Sequence, residues 1–426
     1  MVVLNSISQI VNGLLDDQLK QLYSDVKLLE AQRTRYAKAL WEFANLFGSP
    51  EKAALFSSPG RMEIIGNHTD HNHGLCIAAS VHADTIAVAS KTNDPFVDIY
   101  SEGHKPIHFS VDDLSKKETE IGKSCSLVRG IAKRFRQCGY KIGGFCAFTT
   151  SDVPKGSGLS SSAAFENLVG SILNYFYNEG KIDPVTIAKI GRFAENHYYD
   201  KPCGLLDQLS SACGGTLFMD FADPEKPCVE SLSFDTEKMG CVLCLVDIGE
   251  RHNGLVGDYA SIPQEMKQVA GFFGKEVLRE VSSVAFFKNL SQIRKTCSDR
   301  AILRAIHYFN ENQRVTDFKE NIQKGRYDAI LSLIRESGKS SFCYNQNVFS
   351  CSGVQRQGLS LALAVCDTFL SGRGAFRLHG GGFGGTVLAF VPNDLYNAFE
   401  QIMSDTLGEP CVKKIHIRSV GCTKLF

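Results

Sequence analysis

The chain has 426 residues, 43% hydrophobic and 22% charged, ordinary globular proportions that exclude long disorder and fibrous repeats. Its 46 Lys and Arg balance 46 Asp and Glu, so the positive excess that carries nucleic-acid binding is missing. No apolar run is long enough to predict a membrane span.

At about 150 residues per domain the length predicts two or three domains, each with its own core. The first residues, MVVLNSISQIVNGLLDDQ, carry no basic group before their apolar ones and include Asp16 and Asp17, which argues against a secretory signal. Fifteen cysteines are odd in number and scattered, unlike a disulfide framework. Cys241 and Cys244 form a C-x-x-C inside the apolar run CVLCLV, with no second pair at zinc spacing. They read as buried thiols, and a reducing cytoplasmic location is expected.

Residues 14 to 47 repeat apolar positions three and four apart, at Leu15, Leu19, Leu22, Val26 and Leu29, and predict helix up to the stop at Gly48 and Pro50. Strand texture follows in LFSSPGRMEIIGN, CIAASVHADTIAVAS and Ile142–Thr150. The loop SDVPKGSGLSSS then opens a helix, AAFENLVGSILNYFYNEG. Helices are expected over 184–200 and 204–213, strands in GGTLFMDFAD and CVLCLVDIG, and mostly helix over 263–337. TVLAFV and NDLYNAFEQIMSD form a late strand–helix unit. The mixture predicts an α+β architecture without regular βαβ alternation. Charge and proline interrupt strand texture at Asp220–Pro227, which sets the expected domains at 1–222 and 223–426.

Four segments carry chemistry. KGSGLSSSAA (Lys155–Ala164) lies between a predicted strand and a predicted helix. Gly156 and Gly158 let backbone amides approach a ligand, and a helix start with free amides suits a phosphate. Helix capping needs one serine and leaves the others over. It is no Walker A loop: both GKS triplets lack the leading glycine, with Lys117 and Leu333 there instead. Kinase H-R-D and D-F-G motifs are absent.

SPGRMEIIGNHTDHNHG (58–74) concentrates an arginine, a glutamate, two asparagines, three histidines and an aspartate, a density of directed donors and acceptors that suits a sugar. A metal held by His68, Asp70, His71 and His73 competes with that reading, as does a plain surface loop. ENHYYDKPCGLLDQ places Glu195 on a helix and Asp207 at the start of another, where a carboxylate can be only a dipole partner. LHGGGFGGT contains a formal G-x-G-x-x-G at Gly380, Gly382 and Gly385, but it runs into a strand. A dinucleotide fingerprint would open a helix. Such a loop lets backbone pass close to a ligand or to another loop.

In order, GR-x-x-x-I-G-x-H-T-D, GLSSSA, CG-x-x-DQ and GGGFGG resemble the galactokinase branch of the GHMP kinase superfamily over residues 58–386. The resemblance implies a two-lobed α+β fold with the active site between the lobes. It implies ATP and Mg2+, and phosphorylation of the anomeric (C1) hydroxyl of galactose or a close relative. By position, Lys155, Gly156, Ser157, Gly158, Leu159, Ser160, Ser161, Ser162 and Ala163 would carry the ATP phosphates, and Ser162 and Glu195 the Mg2+. Asp207 matches the catalytic aspartate and Arg61 the arginine paired with it. Asn67, His68, Asp70, His71, Gly204 and Tyr259 fall on sugar-contacting positions, and Arg251 is a weaker match to a basic residue near the site. The expected partners are a monosaccharide and ATP, with neither nucleic acid nor membrane.

One departure stands out. The family reads G-E-H-x-D-Y where this chain reads Gly66-Asn67-His68-Thr69-Asp70-His71. The family glutamate contacts the sugar near C6. Asn67 removes its charge and adds two N–H donors, and His71 can add positive charge. A uronic acid or another altered hexose is therefore an alternative substrate beside galactose. A non-catalytic sugar sensor is the rival from another class, and the presence of Arg61, Glu195 and Asp207 favours catalysis. The N-terminal helical stretch exceeds the family core and is expected to pack as a cap or merely to shield the N-terminal lobe.

Overall fold

A computed structural model describes residues 2–23, 25–48, 53–154, 156–249, 256–351, 355–408 and 411–425. Lys155 and Arg251 lie outside these residues.

A helix outside the predicted stretch, α1 (Val2–Val11), precedes the expected one, and Gly13, at φ 95°, separates it from α2 (Asp16–Tyr23). The helix predicted over 14–47 is itself interrupted. The Asp25 carboxylate then accepts the Lys27 amide at 2.9 Å, a local turn that competes with helix before α3 (Leu29–Phe47). The long strands β1 (Ala54–Ile65) and β2 (Leu75–Lys91) pair antiparallel. They are joined in one sheet by β3 (Phe96–Ser101), β4 (Ile107–Ser110), β5 (Phe145–Ser151), β6 (Thr216–Asp220) and β7 (Cys228–Leu232). On one face lie α4 (Ser124–Gln137), α5 (Ser161–Asn178) and α6 (Pro184–His197), around a core with Phe56, Val97, Phe135, Leu168 and Ile190.

The opposite face is covered by α1–α3, whose Leu19, Tyr23, Tyr36, Leu40 and Phe43 pack on Leu55, Ile86, Val88 and Phe148. With both faces covered, β1 is buried throughout, and its near-continuous apolar run follows from that. The N-terminal stretch is thus a cap over the sheet. It is also pinned by charge: Asp84 is fully buried and binds Arg35 at 2.6 Å, Arg418 at 3.1 Å and the Tyr23 hydroxyl at 2.7 Å.

The short helix α7 (Leu206–Cys213) leads into β6. The turn between β6 and β7 contains the interruption at Asp220–Pro227 and lies within the first sheet. A second sheet follows the order β11 (Val412–Lys414), β8 (Cys241–Asp247), β10 (Thr386–Pro392) and β9 (Ala375–His379). The 263–337 region folds as α8 (Val256–Phe272), α9 (Ser283–Lys288), α10 (Leu290–Ile293), α11 (Asp299–Gln323) and α12 (Tyr327–Ser340). Behind the second sheet pack α13 (Gly358–Leu370) and α14 (Tyr396–Leu407). The lobes share one core, in which Ile64 and Ile77 meet Leu243, Leu388, Val315 and Ile334. The chain end returns to the first sheet as β12 (Thr423–Lys424), paired with β1.

Cys241 and Cys244 are buried in β8, and neither forms a disulfide. Among the described residues no group of three His, Cys, Asp or Glu is placed to hold a metal, and no helix is long and apolar enough to cross a membrane.

Candidate active site

The β1–β2 register shifts between Pro59 and Arg61. A Cβ at Gly60 would come within 2.9 Å of the Leu159 carbonyl, so only glycine lets β1 approach the serine-rich loop this closely. The Arg61 amide donates to that carbonyl at 3.0 Å. The Arg61 side chain then bridges two segments. Its Nε donates to Asp207 Oδ1 at 2.6 Å, and its Nη1 donates to the Gly158 carbonyl.

Gly156 and Gly158 adopt φ of 77° and 72°. Ser160 is also left-handed, at φ 56°, and sits at the N-cap of α5 without capping it. Its hydroxyl donates instead to Asp207 Oδ2. The first amides of α5 therefore keep no intrahelical partner, beside a cleft of about 460 Å³ lined by Ser161, Ser162, Phe165, Glu102 and Tyr199. Burial by itself raises the Asp207 carboxyl, but Arg61, Ser160 and Lys201 outweigh it and hold it below its ordinary value.

Ser162 Oγ lies 3.4 Å from Glu195 Oε1. Gln208 donates to Glu195 Oε2 at 2.9 Å and to Glu166 Oε2 at 3.0 Å. Burial, with Glu195 close by, pushes the Glu166 carboxyl well above its usual range. The Lys201 ammonium binds Glu195 Oε1 at 2.7 Å. Two hard oxygens at this spacing, with a cation already on one of them, fit a divalent ion that keeps several waters.

A second pocket opens beside Asp207, lined by Arg61, Glu63, Asn67, His68, Asp70, His71, Gly204, Tyr259 and Gly381 among others. It thus gathers the sugar-contacting positions expected from sequence. A methyl group at Gly204 would overlap Asp70 Oδ2. His68 is left-handed (φ 59°) and buried, and its Nε2 donates to the Gly381 carbonyl at 2.9 Å. Burial, reinforced by His71, lowers its pKa to about 3, so the ring is neutral. Tyr259 stands edge-on to it, ring centroids 5.0 Å apart. Burial raises the Tyr259 phenol, and Asp207 and Asp70 add to the rise.

Asn67 is held by partners within the protein. Its two N–H donors are already spent, on Glu63 Oε1 and on the Gly380 carbonyl, each at 2.9 Å. Its oxygen accepts from Asn347 Nδ2 at 2.9 Å. Nor is the negative group missing from this end of the pocket, because Glu63 brings a carboxylate there, braced by Arg377 at 2.9 Å. Burial raises the Glu63 carboxyl, and Arg377, Arg61 and Asn67 pull against that rise.

The GGGFGG loop binds the first motif. The Gly380 and Gly381 carbonyls receive Asn67 and His68, and side chains at Gly381 and Gly382 would collide with Tyr259 and Asn347. His379 ties the loop to the serine turn. Its Nε2 accepts the Glu63 amide at 3.2 Å, its Nδ1 donates to Thr386 Oγ1 at 3.1 Å, and that hydroxyl donates to the Ser157 carbonyl at 2.8 Å.

Glu63, Lys201, His379 and Asn347 escape sequence reading. Glu63 and Lys201 left a signal, as the one glutamate in the polar 58–74 segment and the lysine between Glu195 and Asp207; His379 and Asn347 act through distant segments.

Two family models match: the galactokinase galactose-binding signature over residues 42–91, and the GHMP kinases N-terminal domain over residues 126–215. A galactokinase of Glaesserella parasuis serovar 5 (strain SH0165) is 29% identical over 369 residues, 85% of this chain and 91% of that protein. The structure is similar to that of Lactococcus lactis galactokinase complexed with galactose (TM-score 0.78, 24% identity, 92% of this chain and 99% of that one). It is more distantly similar to Methanococcus jannaschii mevalonate kinase (TM-score 0.59, 13% identity, 87% and 99%). The motifs, the two matched family models and the shared two-lobed α+β fold all agree with the galactokinase branch of the GHMP kinase superfamily, which the chain resembles.

Proposed function

We propose that the protein is an ATP-dependent sugar kinase that phosphorylates the C1 hydroxyl of galactose or a close neutral relative. The observation that carries this reading is the position of Asp207. One carboxylate oxygen is held by Arg61 at 2.6 Å and the other by Ser160 of the glycine–serine turn, while a third of the side chain remains open to the pocket. A carboxylate so placed meets both a sugar hydroxyl and a phosphate held by the turn.

When bound in the 460 Å³ cleft, ATP supplies the phosphoryl group, and Mg2+ neutralises charge on its oxygens. The chain's own part is positioning. The open amides of α5, with Gly156 and Gly158, cradle phosphate. Ser162 and Glu195 would hold the ion. Asp207, kept ionised by Arg61, orients the hydroxyl and takes up its proton. Gly204 leaves room for Asp70, and Tyr259, His68 and Glu63 complete the wall around the sugar.

Glu63 supports a neutral sugar over a uronic acid, since a C6 carboxylate would meet a carboxylate already present. The Arg61–Asp207–Ser160 array supports an enzyme over a silent sensor, which has no need of a charged acceptor at the phosphate turn. ADP release measured with galactose, glucose, galacturonate and talose tests the reading. Turnover is expected to be fastest with galactose; no ADP release with any hexose refutes the kinase.

A further inference from the structure

Among the described residues, Lys201 alone lines both the nucleotide cleft and the sugar pocket. The backbone fixes it there. Asp200 turns the chain left-handed at φ 64° and is anchored by Lys116 at 2.7 Å. The Lys201 amide donates back to the Glu195 carbonyl at 3.1 Å, and Pro202 disfavours helix at Lys201. The ammonium is held by Glu195 Oε1 at 2.7 Å, with its side chain 57% exposed. That oxygen faces Ser162, while the other is taken by Gln208.

A phosphoryl group passing from the cleft to the pocket must cross the junction that Lys201 occupies. We propose, resting on the sugar-kinase reading, that Lys201 is a catalytic residue whose ammonium contacts the phosphoryl oxygens during transfer. In that step the sugar hydroxyl oxygen forms a bond to the terminal phosphorus. The bond from phosphorus to the bridging oxygen breaks, its electron pair leaves with ADP, and the hydroxyl proton passes to the Asp207 carboxylate. Lys201 gives up no proton. It supplies fixed positive charge where negative charge is in transit, the role in which a preorganised cation contributes most.

The test compares wild type with Lys201→Met and Lys201→Arg. It measures steady-state kinetics on galactose and calorimetric binding of two probes with Mg2+: a non-hydrolysable ATP analogue and ADP. Lys201→Met should lower kcat about a hundredfold with little change in the KM for sugar. It should weaken the analogue about tenfold while leaving ADP, which lacks the terminal phosphate, nearly unaffected. Lys201→Arg should recover part of both. Unchanged kcat in Lys201→Met overturns the proposal. So does equal weakening of analogue and ADP, because a lysine that merely props Glu195 acts on both through the ion. If the wild type phosphorylates no sugar, the parent reading fails, and the analogue-to-ADP difference still reports separately on Lys201.

Discussion

The Asn67 side-chain amide donates to the Glu63 carboxylate at 2.9 Å, so the residue that removes a negative charge from the sugar loop holds another in its place. Glu63 comes from β1, four residues earlier, and Arg377 of β9 braces it from behind. The pocket that both residues line thus holds a glutamate at this end.

Glu63→Gln therefore weakens the sugar and spares the nucleotide. Losing a charged hydrogen-bond acceptor costs about 1.5–3 kcal/mol, so the KM for galactose should rise about tenfold or more, with the KM for ATP unchanged. If the carboxylate excludes uronic acids, the same variant narrows the gap between galactose and galacturonate. A KM for galactose equal to wild type, in a variant with unaltered melting, shows that Glu63 does not face the substrate.

Gly204→Ala places a methyl group against Asp70 Oδ2. The sugar pocket must shift to relieve the overlap, and the nucleotide cleft has no part in it. Steady-state kinetics should show a KM for sugar raised about tenfold and ADP binding preserved. Loss of both together points to a folding defect and contradicts the assignment.

The Asp207 carboxyl lies below its ordinary value of about 3.9, because Arg61, Ser160 and Lys201 overcome the effect of burial. It stays ionised at any pH above that value, and kcat/KM should show no acid limb from this group until about pH 4. In Arg61→Met, burial persists without its main counterweight, so the limb moves up toward neutrality while the rate falls about a hundredfold or more. Profiles of both proteins check this. A limb that does not move shows that the ion pair is not what sets the titration.

Asp84 ties the N-terminal helices to the sheet through Arg35 and Tyr23, and Arg35 also reaches Asp152, at the approach to the serine turn, at 2.9 Å. Burial raises the Asp84 carboxyl, but Arg35, Arg418 and Ser57 hold it below its usual range. A lowered carboxyl stabilises the fold above its unfolded value, and that stability is lost as pH falls through the folded one. Arg35→Met leaves a buried charge short of a partner, at a cost of about 3–5 kcal/mol measured by urea unfolding at pH 7. The difference should shrink in acid. A cost below about 1 kcal/mol would mean that the cap is held by its apolar face alone.

Much of this site was legible because its motifs are local. Arg61, Ser160, Ser162, Glu195 and Asp207 lie in short segments whose composition exceeds what caps and turns need, and the structure brings them within hydrogen-bond reach of one another. The glycine run at 380–385 was legible as a place of close approach, and its partner proves to be the first motif. The contacts that cross the chain were not legible. Asn67 meets Asn347 beyond a π-helical turn at Ser341–Asn345, and His379 reaches the Glu63 amide. No periodicity announces such pairs. The helical reading of 14–47 missed the turn at Asp25 because apolar spacing continued across it, while one carboxylate offered the backbone another hydrogen bond.

The most direct measurement is the phosphorus and proton NMR spectrum of the product after incubation with galactose, ATP and Mg2+. The account predicts a phosphate coupled to the anomeric proton, formed by wild type and reduced about a thousandfold in Asp207→Asn. Phosphate on another carbon, or equal turnover by Asp207→Asn, contradicts it.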